Sequence, residues 1–109
     1  MLSVAVILFA VAALGGLILA WMAWKEQTVN QHLENVQGFS PEQRFFIGYA
    51  QWACENTRPE DLRANAITDP HSPGKYRVNG LVVNMPEFQQ AFQCKAGQPM
   101  VSEHRCRVW

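Results

Sequence analysis

The first twenty-four residues limit the folding options more than any other stretch. Met1 to Trp24 carries no ionisable side chain, and Leu2 to Ala20 is almost continuously apolar, broken only by Ser3 and the Gly15-Gly16 pair. About 20 apolar residues in helical geometry cross a bilayer, so residues 1–24 read as a membrane-anchor-like helix with Trp21, Trp24 and Lys25 as interface anchors. A cleavable signal peptide fits less well, because no basic segment precedes the apolar run. A helix that is apolar on all sides lies either in lipid or deep within protein, and the pattern by itself does not choose.

The remaining residues, 25–109, make a second and more polar region. With 109 residues in total, there is room for one domain that buries about two-thirds of its unfolded surface. Nine basic and nine acidic residues cancel, without a Lys/Arg cluster, so no nucleic-acid partner is expected. Gly38-Phe39 breaks the chain. Ser40 then stands at an N-cap position, with Pro41 at the first helical position and Gln43 completing a capping box. Phe45, Phe46, Tyr49, Trp52 and Ala53 follow at helical spacing, and this wide apolar stripe needs another surface to cover it. Thr57 to Ile67 predicts a short helix with Leu62 inward, and Asn84 to Phe92 another with Pro86 near its start. Between them Tyr76, Val78, Leu81, Val82 and Val83 predict an extended segment around Asn79-Gly80, and Cys94 to Trp109 an irregular tail.

The chemistry concentrates in Asp69-Pro70-His71-Ser72-Pro73-Gly74-Lys75-Tyr76-Arg77. Pro70 and Pro73 restrain the backbone on both sides of His71, as an aimed imidazole requires. Read as extended, Lys75 to Val78 alternates its side chains, so the Arg77 guanidinium can share a space with the imidazole. His32 has no acidic or cysteine neighbour at ligand spacing. Cys94, His104 and Cys106 lack the paired short spacings and the fourth ligand of a zinc site.

Several motifs together closely resemble the carboxy-terminal end of the neprilysin and endothelin-converting-enzyme family of zinc metallopeptidases. These are Asp-Pro-His-Ser-Pro-Gly-Lys-Tyr-Arg-Val at 69–78, Asn84-Met85-Pro86-Glu87-Phe88, Cys106-Arg107-Val108-Trp109, Gly38 to Phe46 and Gln51-Trp52-Ala53-Cys54. The resemblance runs from about Leu14 to Trp109 and covers only the last part of a family member. It implies a mainly α fold: the carboxy-terminal part of a zincin-type, thermolysin-like catalytic domain, with short helices, an extended segment and an irregular tail.

The resemblance also implies roles. His71 would hydrogen-bond the oxyanion of the tetrahedral intermediate, with Asp69 orienting it, and Arg77 would hold a substrate carbonyl. Trp52 and Ala53 would border a hydrophobic substrate pocket, although the family's aromatic commonly stands next to the cysteine, whereas here Ala53 intervenes. Leu14-Gly15-Gly16-Leu17 resembles a buried family helix that follows the third zinc ligand. Aligning the glycines puts Phe9 at the ligating glutamate and Ala13 at the aspartate that orients a ligating histidine, and neither can serve.

A zincin also needs His-Glu-Xaa-Xaa-His on a helix, and that motif is absent from the sequence. The expectation is therefore a carboxy-terminal piece of a zinc metalloendopeptidase. Zinc belongs to the complete family enzyme and none is expected to bind this chain alone. Peptide substrates are expected only together with the missing zinc-bearing part. The alternative is a non-catalytic, membrane-anchored interaction protein derived from that family, docking through its Phe45 to Trp52 face. Cys54, Cys94 and Cys106 correspond to family cysteines that pair with upstream partners, so the resemblance implies disulfides and an extracytoplasmic, oxidising compartment, whether periplasmic, secreted or membrane-anchored.

Overall fold

The computed structural model describes residues 4–108, with residues 4–10 described by their backbone alone. Five helices follow one another: α1 (Val4–Thr28), α2 (Pro41–Gln51), α3 (Pro59–Thr68), α4 (Gly74–Val82) and α5 (Pro86–Ala91). No strand occurs among the described residues, and the mainly helical expectation holds.

Local chemistry sets most of the boundaries. Ser40 accepts a hydrogen bond from the Gln43 amide at 3.2 Å, and the Gln43 side chain accepts one from the Ser40 amide at 3.0 Å, closing the capping box. Proline opens α2, α3 and α5, where its missing N–H costs nothing. The Gln43 amide nitrogen also donates to the Ala91 carbonyl at 2.9 Å, so the residue that caps α2 ties it to α5.

The extended segment expected around Asn79-Gly80 is instead helix α4. Leu81 and Val82 are buried in the same core as Leu14, Leu17 and Ile18, and α1 and α4 pack together. Burying that helical face outweighs the strand preference of Val78, Val82 and Val83. Leu62, expected inward, is exposed, because α3 has no buried residue at all.

The core joins four segments. Leu14, Leu17, Ile18 and Trp21 form one stripe on α1 at positions i, i+3, i+4 and i+7, and they meet Phe46 of α2, Leu81 and Val82 of α4, and Met85. Val11, Leu19 and Met22 on the same helix remain exposed. Trp21 stacks on Phe46 with ring centroids 5.0 Å apart, Phe45 meets Trp21 edge-on at 5.1 Å, and Phe46 meets Phe88 edge-on at 5.3 Å. The aromatic stripe predicted on α2 thus finds its cover on α1 and α5, apart from Trp52, which is 53% exposed. Among the described residues no helix is long and apolar enough to cross a membrane. The amino-terminal end of the anchor-like segment, Met1 to Ser3, and the terminal Trp109 lie outside the described residues.

The irregular tail folds back over the α4–α5 junction. Ser102 donates its amide to the Val83 carbonyl at 3.1 Å, the Cys106 amide donates to the Asn84 side chain at 2.9 Å, and Arg107 forms a two-pronged pair with Glu87 at 2.8 and 3.1 Å.

Candidate functional site

Three short segments converge on one cleft of about 210 Å³: the stretch just after α2 (residues 52–55), one side of α3, and the loop and first turn of α4 (residues 69–77). All five residues singled out from the sequence line it, namely Trp52, Ala53, Asp69, His71 and Arg77.

Asp69 follows α3 as its C-cap, and Pro70 keeps the chain from continuing as helix. One Asp69 carboxylate oxygen accepts two hydrogen bonds, from the His71 amide at 2.9 Å and from His71 Nδ1 at 2.9 Å. The amide bond first, and then the imidazole bond, hold the Asp69 carboxyl below the usual carboxylate range. The pairing fixes the ring's orientation and places a proton on Nδ1. Both side chains stay close to half exposed.

Arg77 arrives by a different route from the one the sequence suggested. It does not alternate along a strand. It sits one turn into α4, and its guanidinium lies over the Trp52 ring at 4.5 Å. The Trp52 face is therefore occupied by Arg77. Behind it, the Tyr49 hydroxyl donates to the Arg77 carbonyl at 3.4 Å, and burial pushes the Tyr49 phenol up, against the lowering effect of the nearby Arg77 charge. Leu62 and Ala66 of α3 supply apolar lining.

Two residues of the cleft went unrecognised in the sequence. Glu55 accepts a hydrogen bond from the Gly74 amide at 2.8 Å, and Gly74 is buried so tightly that an added Cβ would overlap the Ala53 carbonyl oxygen. Nothing local announces either contact, since they join positions about twenty residues apart. The pattern Pro73-Gly74 read only as loop punctuation.

Among the described residues, no group of three His, Cys, Asp or Glu side chains could hold a metal ion. Ala13, at the position of an orienting aspartate, is an exposed methyl on α1, and the side chain of Phe9 lies outside the described residues. The described residues do not fit a zinc site. Cys54, Cys94 and Cys106 are free thiols, Cys54 at the cleft itself.

Residues 5–108 match the family model described as peptidase family M13. The sequence is 40% identical over 98 residues to human endothelin-converting enzyme 1 and 42% identical over 101 residues to neprilysin-1 of Caenorhabditis elegans, in each case over 87% of this chain and 13% of the relative. It is 51% identical over 67 residues to mouse membrane metallo-endopeptidase-like 1, covering 62% of this chain and 9% of that protein. The chain therefore spans about an eighth of the length of the curated relatives it matches. A cryo-EM structure of the Mycobacterium tuberculosis zinc metalloprotease Zmp1 in its open state superposes with a TM-score of 0.85 at 30% identity, over 92% of this chain and 16% of that one. A chain from the Haemonchus galactose-containing glycoprotein complex superposes with a TM-score of 0.81 at 35% identity, over 91% of this chain and 19% of its own.

Proposed function

This chain belongs to peptidase family M13, and we propose that it is the carboxy-terminal piece of a zinc metalloendopeptidase, supplying the oxyanion-stabilising and substrate-holding side of a peptide-cleaving site. The observation that carries this reading is the convergence of Asp69, His71, Arg77, Trp52 and Ala53 on one cleft, although they come from separate segments of the chain.

The division of labour follows from the donors. The Asp69 carboxylate accepts a hydrogen bond from His71 Nδ1, which fixes the ring and leaves Nε2 as the nitrogen assigned to the substrate oxygen. In the oxyanion-stabilising role the ring donates a hydrogen bond to the negative oxygen that develops when a peptide carbonyl is attacked. Arg77, braced on Trp52, presents a rigid fork to a substrate carbonyl. Leu62, Ala53 and Ala66 offer the apolar surface for a neighbouring substrate side chain.

The zinc and the general base come, in this reading, from residues beyond the 109 given. The surface of α3, which has no buried residue, suits cover by that other portion. Cys54, Cys94 and Cys106 are then positioned to pair with its cysteines, in an extracytoplasmic and oxidising setting. The buried stripe from Leu14 to Trp21 supports α1 as a core helix of the domain over that span.

The test is a complete M13 enzyme carrying this segment. His71→Ala is expected to lower turnover about 10²-fold to 10³-fold, with a smaller effect on KM. Arg77→Ala is expected to act mainly on KM. Unchanged turnover in the first variant, or a defect confined to turnover in the second, refutes the assigned roles.

A further inference from the structure

Glu55 lines the same cleft, yet the roles above leave its carboxylate unused. We propose that Glu55 is a positioning residue for this cleft, locking the start of α4 and the His71 loop onto the end of α2. The proposal rests on the roles given to His71 and Arg77 above.

Pro73, the N-cap of α4, has no side-chain acceptor, and no side chain from its own loop caps the helix. The Gly74 amide is thus one of the donors that a helix start leaves without an intrahelical partner. Glu55 Oε1 accepts it at 2.8 Å from 19 residues upstream. The bond is charge-assisted, and a carboxylate at a helix amino terminus is favoured by the helix dipole. Gly74 lies midway between the two functional side chains, three residues after His71 and three before Arg77. Glu55 lies three residues after Trp52, on which Arg77 rests. Arg77 on Trp52, the Tyr49 hydroxyl on the Arg77 carbonyl and Gly74 on Glu55 together hold α4 against α2 and the residues that follow it, and of these only the Glu55 bond holds the first residue of α4. Removing the Glu55 bond loosens the first turn of α4, with the His71 loop before it and Arg77 after it, while the core contacts of Leu81 and Val82 still hold the far end of the helix.

The experiment compares Glu55→Ala and Glu55→Gln in two settings. In this chain, hydrogen exchange at the Gly74 amide is expected to be about tenfold faster in Glu55→Ala and close to the parent in Glu55→Gln, whose amide oxygen still accepts the bond. In the complete M13 enzyme carrying this segment, Glu55→Ala is expected to lower kcat/KM about tenfold, with Glu55→Gln within about twofold of the parent. Unchanged Gly74 exchange in Glu55→Ala overturns the link itself. Faster exchange with unaltered kinetics overturns the positioning role and leaves the cleft assignment standing. If His71→Ala in the same enzyme has no effect, the cleft assignment fails and the positioning role falls with it, while the Gly74 exchange result still reports whether the Glu55 bond exists.

Discussion

The same substitution at two positions of α4 should have opposite signs. Gly80 lies in the helix interior, exposed, with nothing within 4 Å of where a Cβ would stand. Gly80→Ala therefore gains helix propensity and loses unfolded-state freedom, and should stabilise the chain by about 0.5–1 kcal/mol. Gly74→Ala carries the same gain, because Gly74 also has a helical backbone. There, however, the new methyl overlaps the Ala53 carbonyl oxygen and stands 3.2 Å from Glu55 Oε1. Ala53 is backbone and cannot rotate aside, so α4 must shift. Overpacking of this kind costs about 1–3 kcal/mol. The displaced helix also weakens the charged hydrogen bond from Gly74 to Glu55, at the low end of about 1.5–3 kcal/mol since Glu55 is exposed. The cost exceeds the gain, and Gly74→Ala should destabilise by about 1–3 kcal/mol. Urea denaturation followed by circular dichroism reads the difference. At about 1–3 kcal/mol per molar of urea, the two midpoints should lie on opposite sides of the parent and about 0.5–4 M apart. If both variants are stabilised to the same degree, the close approach of α4 to the end of α2 does not exist, and the geometry of the cleft falls with it.

Ser40→Ala removes the oxygen that accepts the Gln43 amide and should cost about 1 kcal/mol, seen as a lower thermal midpoint, whereas Ser40→Asp should retain most of the stability. At Glu87 burial works to raise the carboxyl, but the hydrogen bonds from Arg107 and from the backbone, with the charges of Arg107 and Arg105, together outweigh it and the net shift is downward. Asp69 is also shifted downward, by its bonds from His71. A carboxylate whose folded value lies below its unfolded one contributes stability above the ordinary value, and loses it as pH falls through the folded value. The ordinary values are 4.5 for Glu87 and 3.8 for Asp69, so the tail and the His71 loop should loosen below about pH 4. Exchange at the Cys106 amide, bonded to Asn84, reports the tail. Glu87→Gln should expose that amide already at neutral pH, and protection that stays constant from pH 6 to pH 3 in the parent would contradict the pairing.

What the sequence disclosed was local. Ser40, Pro41 and Gln43 are within one turn of each other, and their roles follow from side-chain chemistry alone. His71 was legible for the same reason, since Asp69, Pro70 and Pro73 restrain it within five residues. The misreading of 74–82 came from the opposite situation. Val78, Val82, Val83 and the Asn79-Gly80 pair favour a strand or turn locally, and only packing of Leu81 and Val82 against α1 makes the helix the better arrangement. The error in the path to Arg77 followed, although its place in the cleft did not depend on it. Glu55 and Gly74 were invisible because their contact joins α4 to the end of α2 through tertiary structure. Leu62 misled because an apolar residue on a short helix implies a covering surface, and none of the described residues provides it.

The central claim is that this chain holds the substrate-binding side of a zinc peptidase site while the metal lies elsewhere. Zinc content and hydrolysis of a model peptide by the purified 109-residue chain, with and without added zinc, test it most directly. The account predicts no stoichiometric zinc and no cleavage by the chain alone, with chelator-sensitive cleavage once it is joined to a portion bearing His-Glu-Xaa-Xaa-His and the third ligand. Stoichiometric zinc and chelator-sensitive cleavage by the chain alone would contradict it.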